Sequence, residues 1–290
     1  MAKLKVQGNA SGTGVVTLTA PNTNTDRTIT LPDGDITLGG GVDGIVSTAN
    51  ATAITIDANE NVGIGVVPES GTSSTHTSLA IGETGTLTGR DTVAQVALAN
   101  NAYVSGADFN TAKYIKTDEA SMYAQHNAGE HRFLVAPSGT ADSAISWTTA
   151  MTIDNAGRVT MPYQPRFWAS RTTDTGSGLQ GGFSASINVG GHFNGQRFTA
   201  PVAGIYEFYW QSIGAVGTNA TSDVYIYKNG AKNANILSAR PDAPGGTYSD
   251  LCNAKGVVSL GVNDYIEISA SVGIYSDSNY WHKFGGHLIG

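Results

Sequence analysis

The stretch that most constrains this chain runs from Phe193 to Trp210 and reads FNGQRFTAPVAGIYEFYW. From Ile205 to Ile213 the residues alternate like a half-buried strand, with Tyr206, Phe208 and Trp210 on one face. Glu207, Tyr209 and Gln211 fall on the other. Pro201 has no N–H to give to a ladder, so with Gly204 it belongs to a tight corner. That corner joins the long strand to a short one over Arg197–Ala200.

Composition agrees with strands. Charged residues are 13% and aromatics 8%, with 37 glycines, which suits short strands and polar turns better than amphipathic helices. A hydrophobic share of 40% keeps the chain out of the disordered class. The net charge of −7 argues against nucleic acid as a partner, which would call for a basic patch. The one cysteine, Cys252, excludes an intramolecular disulfide framework and reads as a buried, inert thiol. MAKLKVQGNASGTG has no apolar core of the signal-peptide kind, and no later run is long and apolar enough to span a bilayer. The expectation is a soluble protein made in a cytoplasm, with no membrane insertion.

Residues 1–45 read as short alternating strands separated by Pro21-Asn22 and Asp33-Gly34, a unit too small to be stable alone. The run VTLTAPNTNTDRTITLPDG resembles the opening segments of bacteriophage tail fibres. The resemblance implies a virion-attachment segment that docks on a phage tail or baseplate protein. Residues 46–163 read as β-rich shaft modules. Within them TAITID at Thr52–Asp57 returns as TAMTID at Thr149–Asp154, each copy a strand, an Asx-type turn and a second strand. Such a hairpin would join successive modules of a fibre. Between the copies, Val93 to Leu98 has a faintly helical pattern that Asn100-Asn101 breaks, and later runs alternate like strands. The passage LANNAY…GEHRFLVAPSGTADSAISWTTAMTID is similar to a module of phage tail fibres. The bend Pro162-Tyr163-Gln164-Pro165 marks the boundary with a C-terminal knob.

Over residues 164–290, RFTAPVAGIYEF is followed by VYIYKNG at Val224–Gly230, GVNDYIEI at Gly261–Ile268 and FGGHLI at Phe284–Ile289. These motifs in this order resemble the globular head of complement component one, subcomponent q, a jelly roll related to tumour necrosis factor. The implied fold class is all-β: a β-rich trimeric fibre shaft followed by a jelly-roll β-sandwich knob. A homotrimer is implied by the resemblance. It is also favoured because residues 1–160 hold few large apolar residues per strand, so that neighbouring chains would complete their cores.

Signals for chemistry are weak. Gly176-Ser177-Gly178-Leu179-Gln180-Gly181 has the letters of a dinucleotide fingerprint, but strand-like sequence follows it rather than a helix, so it reads as a flexible loop. His126 and His131, or His282 and His287, are five apart, which on one strand puts the rings on opposite faces. Asp277-Ser278-Asn279 reads as a solvated turn, not a cation site. Asp174, Asp223, Asp242, Asp250 and Asp277 are scattered among turns, and nothing in the sequence sets two carboxylates across a groove, so neither an enzyme nor a cofactor is expected.

Alternating strand directions sort the knob's connections into two ends. The resemblance to the complement head implies that both termini sit at the near end, which then holds short turns such as Asn229-Gly230. The far end would hold the connections 215–223, 240–250 and 273–283. On that end lie Asn219, Tyr248, Tyr275, Tyr280 and Trp281, the candidate receptor-binding residues, since flat aromatic faces with polar tips suit sugar rings. The reading is a bacteriophage tail fibre whose knob adsorbs to a host surface glycan or other envelope receptor. The alternative is a structural virion connector or decoration without a receptor.

Overall fold

The computed structural model describes residues 53–215, 223–232, 238–239, 251–271, 273–275 and 281–290. The expected attachment segment, Asn219, Tyr248, Tyr280 and the Asp277-Ser278-Asn279 turn lie outside these. Among the described residues the regular structure is strand, with two short 3-10 turns at Phe109–Thr111 and Val189–Gly191. The chain is all-β.

The first sheet is built from β1 (Ile54–Ile56), β2 (Val62–Ile64), β3 (His76–Ile81), β4 (Gly85–Arg90) and β5 (Val96–Asn100). A small pair follows, β6 (Ala102–Val104) with β7 (Ala112–Tyr114). Then come β8 (Asp118–His126), β9 (Glu130–Gly139), β10 (Thr148–Ile153) and β11 (Val159–Thr160). Nine of these form one sheet in the order β1-β2-β3-β4-β5-β8-β9-β10-β11. Val93 to Leu98 is therefore not helical. Its second half enters β5, where Ala97 and Ala99 are buried and Val96 and Leu98 exposed, the period of a half-buried strand.

The TAITID and TAMTID copies are hairpins at the two edges of this sheet, β1–β2 and β10–β11. Their turns match bond for bond. Asp57 Oδ1 accepts from the backbone N of Asn59 and Asn61 at 2.8 and 2.9 Å. Asp154 Oδ1 accepts from Ala156 and Arg158, both at 2.9 Å. The fourth turn residue, Glu60 or Gly157, has φ of 65° or 78°. An Asx turn thus repeats its side-chain clamp whatever lies between the two copies.

One face of the nine-stranded sheet is closed within the chain. Met122, Leu134 and the alanines of β5, β8 and β9 pack under Val104, Phe109, Ala112, Tyr114 and Ile145. Alanine at the inner positions lets this covering layer approach closely. Tyr114 donates to Pro137 O at 2.6 Å. The expectation that neighbouring chains must complete every core here is too strong, because this segment supplies one lid itself.

The knob contains β12 (Arg166–Arg171), β13 (Gly178–Leu179), β14 (Ser184–Asn188), β15 (Phe198–Thr199), β16 (Gly204–Ala215) and β17 (Val224–Lys228). It continues with β18 (Ala231–Lys232), β19 (Ser238–Ala239), β20 (Leu251–Leu260), β21 (Tyr265–Ala270), β22 (Gly273–Tyr275) and β23 (His282–Leu288). One sheet has the order β14-β12-β23-β16-β20, with β22 on β16. The other has β13-β21-β17-β18, with β15 on β21 and β19 on β17. The chain changes sheet at most of its connections, and two antiparallel sheets wound this way are a jelly roll. Tyr206, Phe208 and Trp210 do point inward together, meeting Phe167 and Phe284 from their own sheet and Phe198, Ile226 and Ile268 from the other. Tyr206 donates to Val202 O at 2.8 Å and so ties the Pro201 corner to the core.

The segment Gly176–Gly181 is not a loose loop. It carries β13, and the fully buried Gln180 donates to Gly176 O and Gly178 O at 3.1 and 2.8 Å. The side-chain amide satisfies carbonyls that no helix is present to use.

Candidate functional site

Strand register fixes the two ends of the jelly roll. Gly204 of β16 faces Leu260 of β20, and Tyr206 faces Leu288 of β23. Leu288 N donates to Pro165 O at 3.0 Å, so the knob's first and last residues meet at this end. At the opposite end Ile213 faces both Leu251 and Tyr275, and Gln211 faces Lys283. Val224 faces Ala270, which puts the start of β17 there too.

The near end is locked by short polar turns. Asn229 Nδ2 donates to Asp264 Oδ1 at 2.8 Å, and Lys228 Nζ pairs with Asp264 Oδ2 at 2.8 Å. Those bonds, led by the one from Lys228, hold the Asp264 carboxyl well below the usual carboxylate range. Such a cross-braced corner leaves little polar capacity for a ligand.

At the far end the structure places two of the five candidates. Tyr275 is not in a free loop. Its backbone pairs with Ile213 in β22, the side chain is half-buried, and the neighbouring Ile274 is fully buried. Three residues of strand docked on β16 were missed because Gly273 and Tyr275 flank a single apolar residue, too short a run for alternation to be seen. Trp281 immediately precedes β23. Gln211 Nε2 donates to its carbonyl at 3.4 Å, while the residue is 37% exposed. A fixed backbone with a presented indole is an arrangement that can stack on a flat apolar ligand face.

Two further features were not expected. His282 is fully buried, its ring edge-on to Phe183 at 4.6 Å and to Trp210 at 4.4 Å. Its parity with Phe284 along β23 was the available signal. The His282/His287 spacing does split the pair between faces, for His287 stacks on Tyr209 at 5.9 Å on the outer side. His126 and His131 instead lie on different strands, β8 and β9, because Asn127–Gly129 turn the chain between them. The second feature is an open groove on the outer face of the β14-β12-β23-β16 sheet, lined by Arg166, Trp168, Ile187, Tyr209 and His287. Beside it Lys255 Nζ pairs with Glu207 Oε1 at 2.8 Å, and this bond lowers the Glu207 pKa. Among the described residues no group of three or more His, Cys, Asp or Glu could hold a metal ion, and no helix is long and apolar enough to cross a membrane.

No family model matches the chain, and no curated protein matches it. Among solved structures it is similar to murine APRIL at pH 5.0, with 14% identity over 43% of this chain and 99% of that one, at a TM-score of 0.37. The globular domain of zebrafish complement 1qA protein matches with 17% identity over 44% of this chain and 98% of that one, at 0.33. The jelly-roll assignment rests on the strand order and register described above.

Proposed function

We propose that this chain is a bacteriophage tail fibre protein and that the far end of its jelly roll attaches the virion to the host cell surface. One observation carries the adsorption reading. The chain enters and leaves the jelly roll at one end, and Trp281 is presented at the other. A fibre joined to a particle through residues before 164 would hold that far end outward. The phage-fibre resemblance of the first 45 residues supplies the particle, with a tail or baseplate protein as the docking partner. The receptor class is a surface glycan or another envelope component, met by aromatic faces. Assembly as a homotrimer fits the exposed Trp168 and Val257 on the outer face of the β14-β12-β23-β16-β20 sheet, which would be covered between copies.

The deciding experiment uses the full chain as a competitor. Host cells preincubated with purified protein should take up fewer virions, and labelled protein should bind those cells and not a resistant strain. Full infection at saturating protein, with no cell binding, would leave a structural connector as the reading.

A further inference from the structure

We propose that the free face of the nine-stranded sheet is where copies of this chain meet, in register, about an axis running along an apolar row. The row follows from strand register. Leu79 faces Leu87, Leu87 faces Leu98, Leu98 faces Tyr123, and Tyr123 faces Phe133. It crosses the strands from β3 to β9, on the side opposite the core closed by Phe109 and Tyr114. Nothing among the described residues covers it.

Size and chemistry argue for burial. Ile81, Leu87, Val96, Leu98, Phe133 and Val135 are each between 40% and 55% exposed. At about 200 Å² for a large side chain in full, together they present roughly 500 Å² of apolar surface. That is near the upper limit for a patch on a monomer that stays single. With the half-buried Leu79 and Tyr123 and the polar positions between, the face approaches the roughly 800 Å² per partner of a stable interface. The other outward positions include Thr77, Asn100, Ser121, Gln125 and His131. None of the outward positions from β3 to β9 is Lys, Arg or Asp, and Glu119 stands at the rim. A solvated sheet face is normally interspersed with charges of both signs.

The occupant follows from the same geometry. A face whose one carboxylate stands at the rim has little electrostatic means of choosing a charged partner, whereas copies of itself match it in polarity and in length. The row runs perpendicular to the strands and spans about 19 Å, four spacings of roughly 4.8 Å. Identical sheets twist by identical amounts, so they stay in contact along such a row by winding round a shared axis. Rotation about that axis brings Leu98 to Leu98 and Phe133 to Phe133 of the neighbouring copies. This deepens the assembly part of the fibre reading and is independent of receptor binding.

The test is same-residue cross-linking in the full chain with Cys252→Ala as background. Under mild oxidation, Leu98→Cys and Phe133→Cys should each give a species of twice the chain mass on a non-reducing gel. Asn59→Cys, in the exposed turn between β1 and β2, should give at least tenfold less. Light scattering should report three chains, and Leu98→Arg should shift the assembly toward smaller species. A trimer that cross-links at neither Leu98→Cys nor Phe133→Cys overturns this interface and leaves the fibre assembly standing. A monomer overturns both. A monomer whose Leu98→Cys is also shielded from maleimide would assign the face to the chain's own first 52 residues. Equal cross-linking at Asn59→Cys would reduce the effect to collision and overturn it too.

Discussion

The His282 and Trp210 rings meet edge to face, their centroids 4.4 Å apart and their planes at 86°, with neither imidazole nitrogen hydrogen-bonded among the described residues. Burial pushes its pKa from 6.5 down to about 3, and the Arg171 guanidinium acts in the same direction. A base whose folded pKa is depressed leaves full stability above its unfolded pKa and loses it as pH falls. The window runs from 6.5 to about 3, and the expected slope is roughly 1.4 kcal/mol per pH unit. Carboxylates titrate in the lower part of this window, so the informative quantity is a difference. Chemical denaturation between pH 7 and 4 should show His282→Phe losing less stability than the wild type. Parallel curves for the two proteins would mean that the imidazole is not held neutral.

The paired Asx turns make a local prediction. Gly157 has φ of 78° and open space where a Cβ would stand, so Gly157→Ala adds torsional strain without a collision. It should cost about 1 kcal/mol. Glu60 occupies the equivalent position with φ of 65°, and Glu60→Asn should stabilise by a few tenths of a kcal/mol, because Asn tolerates the left-handed region better. Thermal melts of both variants check the opposite signs.

At the corner of β16 the constraint on Gly204 is crowding rather than torsion. A Cβ there would lie 2.6 Å from Leu288 Cδ1 and 2.7 Å from Gly290 O. Gly204→Val should therefore cost about 1–3 kcal/mol through overpacking. Gly261→Ala, whose Cβ would meet Asp264 Oδ2 at an ordinary 3.5 Å, serves as the control. Equal melting temperatures for the two variants would show that the corner has room.

Arg197 makes a forked contact. Its Nε and Nη2 donate to Glu267 Oε1 at 3.0 and 2.9 Å, and its guanidinium lies 3.7 Å from the Tyr265 ring centroid. The Glu267 side chain is almost fully buried. Arg197→Ala leaves that carboxylate without its cation and should destabilise by about 3 kcal/mol. Adding Glu267→Gln should recover part of the loss. Lysine is a point charge without the fork, so Arg197→Lys should fall between wild type and alanine. Urea midpoints of the four proteins check the order.

Much of the jelly roll was legible because its strands are long and alternate. The alternating run Ile205 to Ile213 falls within β16, and the inward trio Tyr206, Phe208 and Trp210 was readable from period two alone. The two-residue strands Gly178–Leu179 and Ala231–Lys232 carry no period and were not seen. In the first sheet the repeat was plain, but the covering segment Ala102–Tyr114 was not. Its job is done by scattered residues, Phe109 and Tyr114, whose meaning depends on alanines far along the chain. Of the candidate site, the end of the jelly roll could be counted from strand directions. How Tyr275 and Trp281 are held could not, since both depend on pairing with β16.

Trp281 gives the sharpest test of adsorption. Its carbonyl is held by Gln211, so removing the indole should leave the start of β23 in place. Trp281→Ala should weaken binding to host cells by about 1–3 kcal/mol at each site, the worth of one stacking aromatic. Several copies in one particle would multiply that loss through avidity. The near-end comparison is Val262→Ala, an exposed side chain in the turn between β20 and β21. Lys228→Ala is a poorer comparison than its position suggests, because Lys228 also donates to Ser259 O at 3.0 Å and pairs with Asp264. Circular dichroism and light scattering should match wild type for both variants. Loss of binding in Trp281→Ala with binding kept in Val262→Ala supports far-end recognition. The reverse result would turn the knob round, and unchanged binding in both would remove Trp281 from the receptor site.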